Sequence, residues 1–174
     1  MSASVRIRQF WAAVSTNSLR QEAILPAKKI LNDAQMALFL RLQPSEQAHA
    51  LRVLQTLQKK GERHPDLLTA ALLHDAGKSQ MPLRVWERVL IVLGKRLMPQ
   101  KAHTWGDAKP VGWKRAFVVA RQHPTWGATL AAQAGTTELA IRLIQNHQEI
   151  LSQGNYNPLE RHLLTLLQEA DNQY

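Results

Sequence analysis

The 174-residue sequence predicts an all-α protein of one domain, a bundle of roughly seven to nine helices. Three observations carry this. Apolar residues recur at three- and four-residue spacing almost throughout the chain. No stretch alternates apolar and polar residues as a half-buried strand would. Proline and glycine fall mostly between the periodic stretches, where they start and stop helices. The length suits a single core, and neither internal repeats nor low-complexity segments divide it.

The elements follow in order. A first amphipathic stretch covers residues 4–15 and a second 19–42, interrupted early by Pro26. Ser45 is the expected N-cap of a helix over 46–60, and Gly61 stands just past its end. His64-Pro65-Asp66 opens the next helix, which runs through LLTAALLHDA to Gly77. Pro82 starts a basic helix, LRVWERVLIVLGKRL, which Pro99 ends; residues 99–112 (PQKAHTWGDAKPVG) read as a polar loop. A helix at 113–122 is expected to stop at Pro124, with another following to Gly135. Thr136 or Thr137 caps a helix ending near His147, SQGNYNP is a turn-rich loop, and Pro158 begins a last helix that carries Asp171.

Composition removes several chemistries. With no cysteine, disulfides, thiolate nucleophiles and cysteine-based zinc sites are excluded, which leaves seven histidines as the main metal-binding candidates. The first fifteen residues hold no apolar run of the signal-peptide kind, and no uncharged stretch reaches a membrane span, so the cytoplasm is the expected compartment. The net charge of +9 is uneven: residues 79–121 carry nine basic and two acidic side chains, whereas 122–174 carry two and five. Such a segment suits a phosphate-bearing small molecule, a nucleic acid or an anionic membrane surface, and equally a plain solvated basic face.

The ionisable residues that fall on apolar helix faces are more specific. His49 precedes Val53 and Leu57 by four and eight residues; His74 follows Ala71 and Leu67 by three and seven; Asp75 follows Ala71 by four. His123 shares a face with Ala116, Val119 and Ala120, and His147 with Ala140, Leu143 and Ile144. Asp171 follows Leu167 and Leu164 by four and seven. Five helices thus each direct an ionisable group inward. A single histidine on an apolar face is usually a hydrogen-bonded core residue, but two inward aspartates each cost several kcal/mol unless partnered. A divalent transition metal would partner all six, since imidazole and carboxylate suit manganese, iron, cobalt or zinc; basic side chains from other helices are the alternative.

LLTAALLHDAGK, with EQAHALRVL upstream and an aspartate in the last helix, resembles the signature of the HD phosphohydrolase superfamily over residues 39–174. The resemblance implies a helical HD-type bundle and metal-dependent hydrolysis of a phosphoester or phosphoanhydride. RQHPTWGATLA and LIQNHQE are similar to the additional histidine positions of dinuclear members, among them cyclic-dinucleotide phosphodiesterases of the HD-GYP kind and bacterial HD-type diadenosine tetraphosphatases. By that resemblance His49, His74, Asp75 and Asp171 hold one metal, and His123 and His147 hold a second, with Asp75 bridging. The chain lacks a GYP motif and reads NHQE where that group has paired histidines, which counts against the cyclic-dinucleotide kind; the HP-x-WGA segment and short length resemble the tetraphosphatases more, although the His-Thr start of their motif is missing. Asp75 and Lys78 are the expected catalytic residues, Lys78 meeting phosphate charge; as a structural alternative it is a favourable cation at a helix C-terminus. The implied partner is a phosphorylated small molecule, a nucleotide before a nucleic acid, and the competing class is an HD-fold regulatory or ligand-binding domain without catalysis.

The remaining features carry less. His64 reads as an exposed or capping residue, His103 as a loop residue, and His162 lies on a different face from Asp171. Arg84, Arg88, Lys95 and Arg96 stripe the basic helix as its outer face, with Trp86, Val89, Leu90 and Leu93 as its packing face; a phosphate-attracting lid or contact with an anionic membrane are the functional alternatives. Trp105, Trp113 and Trp126 are core or interface aromatics before they are base-stacking platforms. Residues 1–38 are expected to form a helical extension packed on the core, and 79–121 a helix-loop insert.

Overall fold

The periodicity appears as nine α-helices and three short 3₁₀ turns, with no strand, among the described residues 21–174 of a computed structural model. The expected helix over 4–15 lies outside the described residues. The helices are α1 (Leu25–Lys28), α2 (Asp33–Leu40), α3 (Pro44–Lys59), α4 (Pro65–Leu73), α5 (Val85–Leu97), α6 (Pro99–Gly106), α7 (Arg115–Gln133), α8 (Glu138–Asn146) and α9 (Pro158–Asp171).

Local chemistry explains their starts. Pro44, Pro65, Pro99 and Pro158 each occupy the first helical turn, where the missing N–H removes a donor that would be unsatisfied anyway. Asn32 with Gln35, and Asn157 with Glu160, form reciprocal capping boxes at 2.8–3.0 Å. Thr137 caps α8 by accepting from the Ala140 N–H.

Four sequence expectations are corrected. Pro99 does not merely end α5; it starts α6, so His103 and Trp105 are helical, with Ala102 and Gly106 buried. Pro124 does not stop a helix. It costs the N–H that would reach the Ala120 carbonyl, yet α7 continues through it because His123, Pro124, Gly127 and Ala128 are all buried. The cap of α3 is Gln43 rather than Ser45, whose hydroxyl donates to Glu46. The helix expected to reach Gly77 ends at Leu73, and the chain tightens into a 3₁₀ turn over Ala76–Gln80.

That turn packs against α7 at backbone contact. A Cβ on Gly77 would lie 2.0 Å from the His123 carbonyl oxygen, and Gly127 completes the approach from the other side. The glycine of HDAGK is therefore a packing requirement. The main core is built by α2–α4, α8 and α9 around Phe39, Leu54, Leu72, Ile144, Leu164 and Leu167. Ile24, Ala27, Leu31 and Met36 join the same core. A smaller cluster of Leu83, Ala116 and Val119, with Leu90, Ile91 and Trp126 against it, supports α5.

The basic helix is turned differently from its expected pose. Glu87 and Gly94 are its buried positions, and Arg88 points inward to Glu46 (2.9 Å) and Gln43. Glu87 receives Arg115 at 2.6 Å. Of the expected packing face, Leu90 packs on the smaller cluster, whereas Trp86, Val89 and Leu93 are exposed. Gly94 explains the choice: the Phe117 ring sits 2.5 Å from where its Cβ would be, so α5 seats on α7 at its one residue without a side chain.

Candidate metal centre

Five elements bring the six inward residues together. His49 comes from α3, His74 and His147 from the positions directly after α4 and α8, His123 from mid-α7 and Asp171 from the last turn of α9. Asp75 follows His74 at the start of the 3₁₀ turn. Each placement uses the apolar face that the sequence identified.

The geometry divides into two clusters that share a carboxylate. His49, His74 and Asp75 present ligand-type atoms within 4.8 Å of one another, and so do Asp75, His123 and His147. Asp75 Oδ1 lies 3.2 Å from His123 Nε2, while its Oδ2 lies 3.6 Å from His74 Nε2. His123 Nε2 and His147 Nε2 are 3.3 Å apart. On the other side His49 Nε2–H donates to Asp171 Oδ1 at 2.7 Å, and His74 Nε2 lies 3.5 Å from the same oxygen.

Backbone carbonyls fix the imidazole tautomers. Nδ1 of His74 contacts the Ala71 carbonyl at 3.0 Å, that of His123 the Val119 carbonyl at 2.9 Å and that of His147 the Ile144 carbonyl at 2.7 Å. A carbonyl only accepts, so each Nδ1 carries a proton; burial keeps His123 and His147 neutral, with an Nε2 lone pair turned inward, whereas His74 beside Asp75 and Asp171 holds a second proton on Nε2. This is the outer-shell arrangement that orients metal-binding histidines. The donors fit a divalent cation on a further observation: His74 Nε2 is buried without a hydrogen-bond partner, a state that normally costs free energy.

Electrostatics without a cation are strained in the matching sense. Burial opposes the charge on Asp75, but Lys78, His74 and His123 outweigh it and hold the carboxyl well below its usual range. Burial likewise opposes Asp171, and His74 and His49 overcome it to lower its pKa. Burial would lower the pKa of His74, but Asp75 and Asp171 raise it to about 9. Burial lowers His123, and together with the neighbouring His74 and His123 it lowers His147 to about 3. The cluster therefore holds two carboxylates against one imidazolium and Lys78, whose Nζ donates to Asp75 Oδ2 at 2.7 Å. The structural alternative for Lys78, a cation at the end of α4, is not what the fold shows: the side chain folds back on Asp75 from the 3₁₀ turn.

Beside the centre is a cavity of about 510 Å³. Its wall includes Ala120, one turn before His123, with Gln122 and Pro124 flanking His123 and Gln145 and Gln148 flanking His147. None of the six clustered residues lines it directly. Lys95 of α5 lines it too, and burial with the charge of Lys78 lowers its pKa.

One site residue went unnoticed in the sequence. Glu46 is buried one turn before His49 on α3, paired with Arg88, and its charge helps raise the pKa of Lys78 against burial. The i, i+3 spacing to His49 was a usable signal. Lys95, read in the sequence as part of the basic stripe of α5, lines the cavity. His103, exposed on α6, lines the cavity, whereas His64 stands at the N-cap position of α4 without a side-chain cap bond. Trp105 and Trp113 stack with Phe117, and Trp126 packs on the smaller core.

An all-helical fold with a His-Asp pair at a helix end and a histidine and an aspartate from flanking helices defines a class of metal-binding domain. The family model described as HD domain matches residues 47–172, and the chain belongs to that family. The family is all-α, binds divalent metals and typically consists of metal-dependent phosphohydrolases. No curated protein and no solved structure matches the chain. Among the described residues no helix is long and apolar enough to cross a membrane.

Proposed function

We propose that this protein is a two-metal phosphohydrolase that cleaves a phosphoester or phosphoanhydride bond in a nucleotide or dinucleotide. The observation that supports it most is that Asp75 belongs to both clusters, one oxygen facing each. His49, His74, Asp75 and Asp171 would hold one divalent cation, and Asp75, His123 and His147 the other. Such cations lower the pKa of a bound water and polarise a phosphoryl oxygen.

The chain's own residues do the rest. The carbonyl-held rings of His123 and His147 keep their lone pairs aimed inward, so little reorganisation would be needed in that half of the site. To face a cation, His49 would carry its proton on Nδ1 in place of Nε2, and His74 would release its Nε2 proton. Lys78, released from neutralising Asp75, turns its ammonium to the phosphate. Lys95 on the rim receives a further phosphate, and the cavity beside His123 and His147 accommodates the remainder of the substrate. Burial of Asp75, His123 and His147 excludes bulk water from that half of the site.

Phosphate release from a panel of mononucleotides, dinucleoside polyphosphates and cyclic dinucleotides, with manganese and with iron, tests the reading. Turnover that depends on added metal supports it. Metal-loaded protein that binds nucleotides and turns over none would instead make it a regulatory HD domain.

A further inference from the structure

Helix α5 carries an apolar face that nothing among the described residues covers. Val85, Trp86, Val89, Val92, Leu93 and Leu97 are 38–68% exposed, all within its thirteen residues. They follow one another at spacings of four, three, one and four, with Trp86 beside Val85, so they form one contiguous arc. The opposite side is fixed to the body by Gly94 on Phe117, by Glu87–Arg115 and by Arg88–Glu46. The helix therefore has no freedom to roll its apolar face inward. Patches of this kind on a soluble surface mark an interaction site.

Charge selects the occupant. Residues 79–121 hold a surplus of seven positive charges. Arg84, Arg96, Lys101 and Lys109 are exposed and have no ion pair among the described residues. Arg84 precedes the arc and Arg96 lies on it. A second copy seated face to face would juxtapose two such surpluses and bury one Arg96 against the other. An anionic bilayer complements both features, because its phosphates meet the guanidinium and ammonium groups while an arginine on the apolar arc extends its stem and keeps its head at the phosphate level. Thirteen residues are too few to span a bilayer but suit a helix lying in its surface.

We propose that α5 docks this protein on an anionic lipid bilayer, with its Val85–Leu97 apolar arc among the acyl chains and its basic residues at the headgroups. Trp86, a residue with an apolar body and one N–H, suits the boundary between them.

Sedimentation of the full chain with vesicles of phosphatidylcholine alone, or with one-third phosphatidylglycerol, tests this. The expected result is binding to the anionic vesicles that falls with salt and weakens about tenfold or more in the Val92→Glu/Leu93→Glu variant. The variant should melt as the parent does, since both side chains are exposed. A blue shift of tryptophan emission on binding, lost in Trp86→Phe, places that helix in the lipid. Absence of binding to anionic vesicles at low salt overturns the proposal, as does equal binding by the double variant. A lipid-free dimer by light scattering that the double variant dissociates also overturns it and assigns the face to a second copy.

Discussion

At the scale of single residues, the site depends most on Asp75, whose two oxygens serve two clusters. Asp75→Ala should lower metal content at both clusters together, read by elemental analysis, and should abolish phosphate release. Loss of one ion with retention of the other would show that the carboxylate does not bridge. Lys78→Ala should leave metal content intact while turnover falls about tenfold to a hundredfold, in the range of a lost charge-assisted contact. The titration of the histidines gives a third expectation, for protein held in chelator. His74 has its pKa raised from 6.5 to about 9, so its contribution to stability is full below pH 6.5 and is lost as pH rises through 9. That is worth about 3 kcal/mol at about 1.4 kcal/mol per unit. His147 is lowered from 6.5 to about 3, so the unfolded chain binds the extra proton between those values and stability rises with pH across them. Metal-free protein should therefore melt highest near pH 6.5, as followed by circular dichroism. A melting temperature that climbs steadily to pH 9 would contradict the His74 environment.

At the scale of elements, the contact between the 3₁₀ turn and α7 positions half the centre, because it fixes Asp75 against His123. Gly77→Ala forces a methyl to 2.0 Å from the His123 carbonyl and should cost about 4 kcal/mol or more, seen as a large fall in melting temperature. Melting like the parent would mean that α7 can shift without loss. The helices were largely legible in the sequence because their faces are apolar at helical spacing, and all six inward residues lie on such faces. What was not legible depends on tertiary contact. Pro124 reads as a stop, yet burial on both sides carries α7 through it. Pro99 ends one helix and begins another, and nothing local decides between a loop and α6. Helix α5 turns Trp86, Val89 and Leu93 outward because Gly94 seats on Phe117 and Arg88 pairs with Glu46, contacts that no local pattern announces.

At the scale of the whole molecule, the centre joins α3, α4, α7, α8 and α9, so cations held there would staple the bundle. Metal at a thousand times its dissociation constant should add about 4 kcal/mol to stability. For a chain of this length that is about 10 °C in melting temperature, and a chelator should remove it. An unchanged melting curve would show that the metal binds the unfolded chain equally or not at all. Asp75→Ala should melt at one temperature with and without metal. The carbonyl contacts of His74 and His147 carry this further. Both residues stand immediately after a helix, and the Ala71 and Ile144 carbonyls they satisfy belong to the last turns of α4 and α8. The same two imidazoles thus finish helices with one nitrogen and face the centre with the other. A descendant of this chain that abandoned its chemistry would not be free to discard them, because each loss would also fray a helix end. Retention of His74 and His147 in a diverged copy would therefore record architecture as much as activity, whereas His49 and Asp171, which close no helix with their rings or carboxylate, would drift first and report the loss of function.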